Sequence, residues 1–190
     1  MLERARRLAP TSAAAAVVAS RRFTRESLSA LRTPIHAKLS QTPAFCYKAP
    51  AAGLLPDHTP EPDELTLSAR DFFDRVFSEQ SPPYLYHTSN VRQLDATLLN
   101  AAAGWESMPP AAPLGAPWMQ LWSASAGAVT QAHYDVADNA FLQLTGRKEV
   151  LVFPPSAADA LHVFPDAHRC ARKSQLSSLE APNLDVHPQA

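Results

Sequence analysis

Eighteen prolines against five glycines in 190 residues constrain this chain more than any other feature. Proline fixes φ, donates no backbone N–H and breaks helix interiors. This argues against a bundle of long helices and for many turns and edge strands. Apolar residues at 46% and charged residues at 18% are enough for a core, which argues against a fully disordered chain. The length suits one domain of ordinary size. Two cysteines, Cys46 and Cys170, lie far apart and form no CxxC, which rules out a disulfide scaffold and a zinc ribbon. No apolar run approaches the roughly 18 residues of a membrane span. A net charge of −1 advertises no global affinity for nucleic acid.

The charge is unevenly spread. Residues 1–40 hold eight Lys/Arg and two acids, whereas residues 41–190 hold nine and sixteen. The first forty residues, rich in Arg, Ala and Ser, have the composition of an organelle transit peptide, mitochondrial or plastid, or of a basic tail. Residues 41–117 are expected to form a helical, Pro-rich part of the domain, and residues 118–190 a β-rich core.

Five prolines between Pro43 and Pro62 mark a loop over 41–64. Ser68 with Asp71 three residues later reads as a helix start, followed by Phe72, Phe73, Val76 and Phe77 on one face. Tyr84-Leu85-Tyr86 reads as a short strand. Val91, Leu94 and Leu98 predict a second helix ending near Gly104. Strands are expected at Trp118–Trp122 and Val129–Tyr134. A hairpin is expected from Phe141–Leu144 and Glu149–Phe153 around Thr145-Gly146-Arg147-Lys148. Ser156 is placed as the cap of a short helix, Ala157 to Leu161. Short strands with frequent turns predict a mainly β sandwich or barrel.

His133-Tyr134-Asp135 lies within that region. Residues two apart on a strand point to one face, so His133 and Asp135 project together. Imidazole and carboxylate are two of the three ligands of the 2-His-1-carboxylate triad that holds non-haem Fe(II) with open positions. Alone, an HxD tripeptide is weak, and a hydrogen-bonded strand histidine explains it as well.

Its surroundings add specificity. Thr130 to Asn139, Gln143, Gly146-Arg147-Lys148 and Phe153-Pro154-Pro155 together resemble the cupin-like JmjC oxygenases. The stretch is similar both to the asparaginyl-hydroxylase branch and, more tightly, to the tRNA wybutosine-synthesis branch, through Asp138-Asn139, Gln143 to Lys148, Lys173-Ser174 and Pro182-Asn183-Leu184. The resemblance covers about residues 41–190 and is strongest over 118–188. It implies an incomplete double-stranded β-helix of cupin/jelly-roll, JmjC type with flanking helices. It also implies an Fe(II)- and 2-oxoglutarate-dependent hydroxylase acting on a tRNA base or a protein side chain. By the same resemblance His133 and Asp135 are metal ligands and catalytic. Lys148 is the cation for the far carboxylate of 2-oxoglutarate, Thr130 and Tyr84 are its hydroxyl partners, and Asn139 is an active-site amide near the cosubstrate. Tyr86 shares a strand face with Tyr84.

The family's third ligand, a later histidine roughly 70–80 residues after the first, falls beyond Ala190. His162, His168 and His187 are poor substitutes by position. The resemblance thus implies a C-terminally truncated chain with unpaired sheet edges and exposed core face. A non-catalytic cupin-like binding module, or a truncated gene product, is the alternative.

Overall fold

The computed structural model describes residues 23–45, 55, 61–78, 82–94, 120–136, 139, 141, 143–176, 178–179 and 181–186. In chain order the elements are α1 (Arg25–Ser29), β1 (Ile35–Ser40), β2 (Ala44–Phe45), β3 (Asp63–Leu67), α2 (Ala69–Val76), β4 (Tyr84–Asn90), α3 (Val91–Leu94), β5 (Gln120–Ala124) and β6 (Val129–Thr130). A four-stranded antiparallel sheet runs β3-β1-β4-β5, and a two-stranded parallel sheet joins β2 to β6.

Alternation divides the main sheet into two faces. One carries Ile35, Ala37, Leu65, Leu67, Leu85 and Leu121, and α1 and α2 pack on it through Leu28, Phe72 and Phe73. Phe72 has no exposed surface; it meets Phe73 edge-on at 5.0 Å and the His87 ring at 5.7 Å. Burial of each such side chain contributes about 1.5–3 kcal/mol. Helix α2 starts where the sequence puts it. The Ser68 hydroxyl accepts from the Asp71 backbone N–H at 3.1 Å and donates to the Asp71 carboxylate at 2.7 Å.

Several expectations are corrected. The domain does not begin at residue 41: Phe23, Leu28, Ile35 and Ala37 are buried, and β1 is an inner strand of the sheet. The alternation Ile35, Ala37, Leu39 against His36, Lys38, Ser40 supplies one apolar face, and Arg-rich composition does not prevent its burial. The stretch 41–64 is not wholly loop, because β2 and the start of β3 lie within it.

The hairpin keeps its turn, with Gly146 at φ +70°, but among the described residues its arms form no ladder. Leu144 packs on the main core and Phe141 turns to Trp122, which draws the first arm onto the sheet. Val150, Leu151 and Val152 stay exposed. Ser156 caps no helix: Pro155–Ala157 is a single 3₁₀ turn entered from Pro154 without a side-chain cap. Strand β6 stops at Thr130, and His133 makes an isolated bridge with Lys173. Residues 1–22, Leu98 to Gly104, Trp118-Met119 and His187 lie outside the described residues.

Candidate functional site

The face of the sheet opposite the helices positions the candidate residues. Tyr84 and Tyr86 alternate with the buried Leu85 on β4 and therefore point away from the helical core. Across the β4–β5 ladder Tyr86 faces Ala124 and Thr88 faces Trp122. Opposite residues of an antiparallel pair share a face, so Tyr84, Tyr86, Thr88 and Trp122 stand together.

Beyond β5 the chain turns at Gly127, whose φ of +80° favours glycine, and passes beneath Tyr84. It then enters β6, which β2 fastens: Ala44 pairs with Val129, Phe45 pairs with Thr130, and Val129 N–H donates to the Pro43 carbonyl at 2.8 Å. This brings Thr130 to Tyr86, where the two hydroxyls hydrogen-bond, and the Phe45 ring lies 5.3 Å from that of Tyr86. Burial pushes the Tyr86 phenol above its ordinary range, against the opposing effect of the Thr130 hydrogen bond. The residue that meets Thr130 is thus Tyr86, and Tyr84 packs beside Gly127. Two tyrosines on one strand face give the sequence no means of choosing between them.

His133 and Asp135 follow on an exposed segment beyond β6, held by its neighbours. Tyr134 N–H donates to the Arg172 carbonyl at 3.2 Å, and Ser174 N–H donates to the Ala132 carbonyl at 2.8 Å. His133 Nδ1 lies 2.8 Å from the Gln131 carbonyl. A carbonyl only accepts, so Nδ1 is the protonated nitrogen in this contact, and in the neutral ring that tautomer leaves the Nε2 lone pair for a ligand. Asn139 Nδ2 donates to Asp135 Oδ2 at 2.7 Å. Asn139 therefore orients the carboxylate, and Arg172 stands 3.9 Å from its other oxygen. At half-exposed side chains that ion pair contributes little.

This donor chemistry suits a divalent cation: one imidazole with a fixed tautomer, and one carboxylate held by an amide, as metal-binding residues are usually supported. Among the described residues no cluster of three His, Cys, Asp or Glu forms around them. His168 is committed elsewhere: it stacks on Phe164 at 4.2 Å, and its Nδ1 accepts from the Cys170 N–H at 3.0 Å.

Lys148 lies over the same sheet face as Trp122. Its Nζ is 5.0 Å from the Trp122 ring centroid and 4.8 Å from that of Phe141, and the two rings are 6.1 Å apart. The residue as a whole is exposed, but partial burial of its ammonium lowers the pKa below the ordinary lysine value. Trp122 and Phe141 were not candidates from sequence, because nothing in their spacing ties them to Lys148.

The chain is a mainly β domain with helices packed on one face of its main sheet, as a cupin-like protein can be. Residues 21–190 match the Cupin-like domain family, and the chain belongs to that family. It is 33% identical over 76 residues to tRNA wybutosine-synthesizing protein 5 of Danio rerio, 40% of this chain and 19% of the relative. It is 36% identical over 72 residues to Lysine-specific demethylase JMJ31 of Arabidopsis thaliana, 38% of this chain and 13% of the relative. The Mus musculus tRNA wybutosine-synthesizing protein 5 is 32% identical over 75 residues. The chain spans less than a fifth of the length of these relatives.

Proposed function

We propose that this protein is, or is part of, an Fe(II)- and 2-oxoglutarate-dependent hydroxylase acting on a tRNA base or a protein side chain. The observation that carries the reading is the His133–Asp135 pair, each with its orienting partner, in a chain of the Cupin-like domain family. His133 Nε2 and the Asp135 carboxylate would hold the metal. When bound, Fe(II) would couple O₂ reduction to the oxidative decarboxylation of 2-oxoglutarate, giving succinate, CO₂ and one hydroxylated C–H bond.

The chain's own residues prepare that chemistry. Gln131 fixes the His133 tautomer, and Asn139 holds one Asp135 oxygen. Lys148 supplies a positive charge for the far carboxylate of 2-oxoglutarate, a charge-assisted contact strengthened where water is partly excluded. Thr130 and Tyr86, hydrogen-bonded to each other, offer hydroxyls to the same ligand. Similarity to tRNA wybutosine-synthesizing protein 5 supports the tRNA alternative, and similarity to a lysine-specific demethylase supports the protein side chain.

Iron-dependent succinate formation from 2-oxoglutarate tests the reading. Activity should be abolished by His133→Ala and by Asp135→Ala. Metal affinity unmoved by either change would sink it and favour a binding module without turnover.

A further inference from the structure

We infer that Trp122 is a positioning residue for Lys148, holding its ammonium for the far carboxylate of a dicarboxylic 2-oxo acid. This inference rests on the reading above and adds a residue to it. Among the described residues, the contacts of Lys148 Nζ are two aromatic rings, at 4.8 and 5.0 Å, and no carboxylate. An ammonium over aromatic faces is attracted by the ring quadrupoles. That attraction fixes where it sits and leaves its N–H donors free for an incoming anion. A carboxylate in the place of Trp122 would hold the lysine equally well but would consume those donors.

The two rings are not equivalent supports. Trp122 stands on β5, with Leu121 on its other side in the core and Thr88 across the ladder. Phe141 lies outside the described helices and strands and packs against Trp122. Trp122 therefore ties the lysine to the rigid sheet, and Phe141 closes the other side. Trp122 is 41% exposed, so replacing it leaves the helical core intact.

The test measures binding of 2-oxoglutarate to the full chain with Mn(II) present, by calorimetry. The variants are Trp122→Leu, Trp122→Phe, Lys148→Met and the Trp122→Leu/Lys148→Met double. A parallel titration uses 2-oxobutyrate, which has the keto acid but no far carboxylate. Trp122→Leu is expected to weaken 2-oxoglutarate binding roughly tenfold, the scale of a partly desolvated cation–π contact. Trp122→Phe, which keeps an aromatic face, should retain most of the affinity. In the Lys148→Met background the Leu change should add nothing, because the interaction is already gone. Binding of 2-oxobutyrate should be the same with and without Trp122.

An equal loss in the Lys148→Met background, or an equal loss for 2-oxobutyrate, would show a merely structural tryptophan and overturn the inference. The reading of the site would survive that result. A wild-type chain that binds neither acid would remove the reading itself, and the inference with it.

Discussion

Asn139→Ala removes one hydrogen bond and leaves Asp135 in place, so it isolates the orienting role that the geometry gives the amide. The bond is 2.7 Å long and its acceptor is a carboxylate. Charge-assisted bonds of this kind contribute about 1.5–3 kcal/mol. Both partners are exposed, and solvent competes for them, so the low end applies. About 1.4 kcal/mol corresponds to roughly tenfold in affinity, which also matches the lower limit of about 10–100-fold seen when groups supporting a metal ligand are lost. The assay is titration of the full chain with Mn(II), which avoids oxidation during the measurement. Binding should weaken about tenfold in Asn139→Ala, while 2-oxoglutarate titrated at saturating Mn(II) should bind nearly as before. The opposite pattern, unchanged Mn(II) affinity with weakened 2-oxoglutarate binding, would refute the reasoning. It would place the amide on the cosubstrate.

Three further outcomes are expected. Phe72→Ala empties a site with no exposed surface and removes two ring contacts; urea unfolding should show a loss of about 3–5 kcal/mol, and a loss near 1 would mean that α2 is not seated on the sheet. Burial lowers the His87 pKa, outweighing the Nδ1 contact with the His36 carbonyl, which raises it. The unfolded chain then binds the proton at higher pH than the folded one. This contribution is complete above the ordinary histidine value of 6.5 and is lost as pH falls below it toward the folded value. Urea midpoints at pH 7.5 and 5.5 should differ in that direction, and His87→Gln should shrink the difference. Finally, Tyr86→Phe should weaken 2-oxoglutarate binding more than Tyr84→Phe, because Tyr86 is the one joined to Thr130; equal effects would contradict that division.

Legibility followed the strength of local signals. Helix α2 was plain because Ser68, Asp71 and the phenylalanines at helical spacing all point the same way. The first three residues of β4, Tyr84 to Tyr86, and the second half of the strand at 118–122 were readable from their aromatic and aliphatic residues, whereas the polar remainder of β4, through Asn90, was not. Strand β1 carried a clear alternation, yet the arginines before it outweighed that pattern in a compositional reading. Strand β3 was hidden by the prolines around it, although Leu65 and Leu67 alternate with Glu64 and Thr66. The hairpin at 141–153 failed for a different reason. Its turn chemistry was right, but pairing is decided by what covers the two arms, and Phe141 and Leu144 find the sheet instead.

At the proposed site, spacing alone puts His133 and Asp135 forward only weakly, and their roles, like those of Lys148, Thr130 and Asn139, come from the resemblance. The Tyr86–Thr130 bond and the ring wall around Lys148 depend on which strands become neighbours. Register across β4 and β5 sets that, and no local motif encodes it.

The parallel pairing of β2 with β6 joins segments far apart in the chain. Such non-local contacts raise contact order, and the closure entropy must be met before they form. The helical side of the sheet can assemble from nearer pieces: α1 packs on α2, and β1 pairs with β3 and β4. Thr130 reaches Tyr86 only after the segment beginning at Pro43 has closed on the segment after Gly127. The face proposed to take the ligand should thus be the last part of this domain to order during folding, and the first to open in native-state hydrogen exchange.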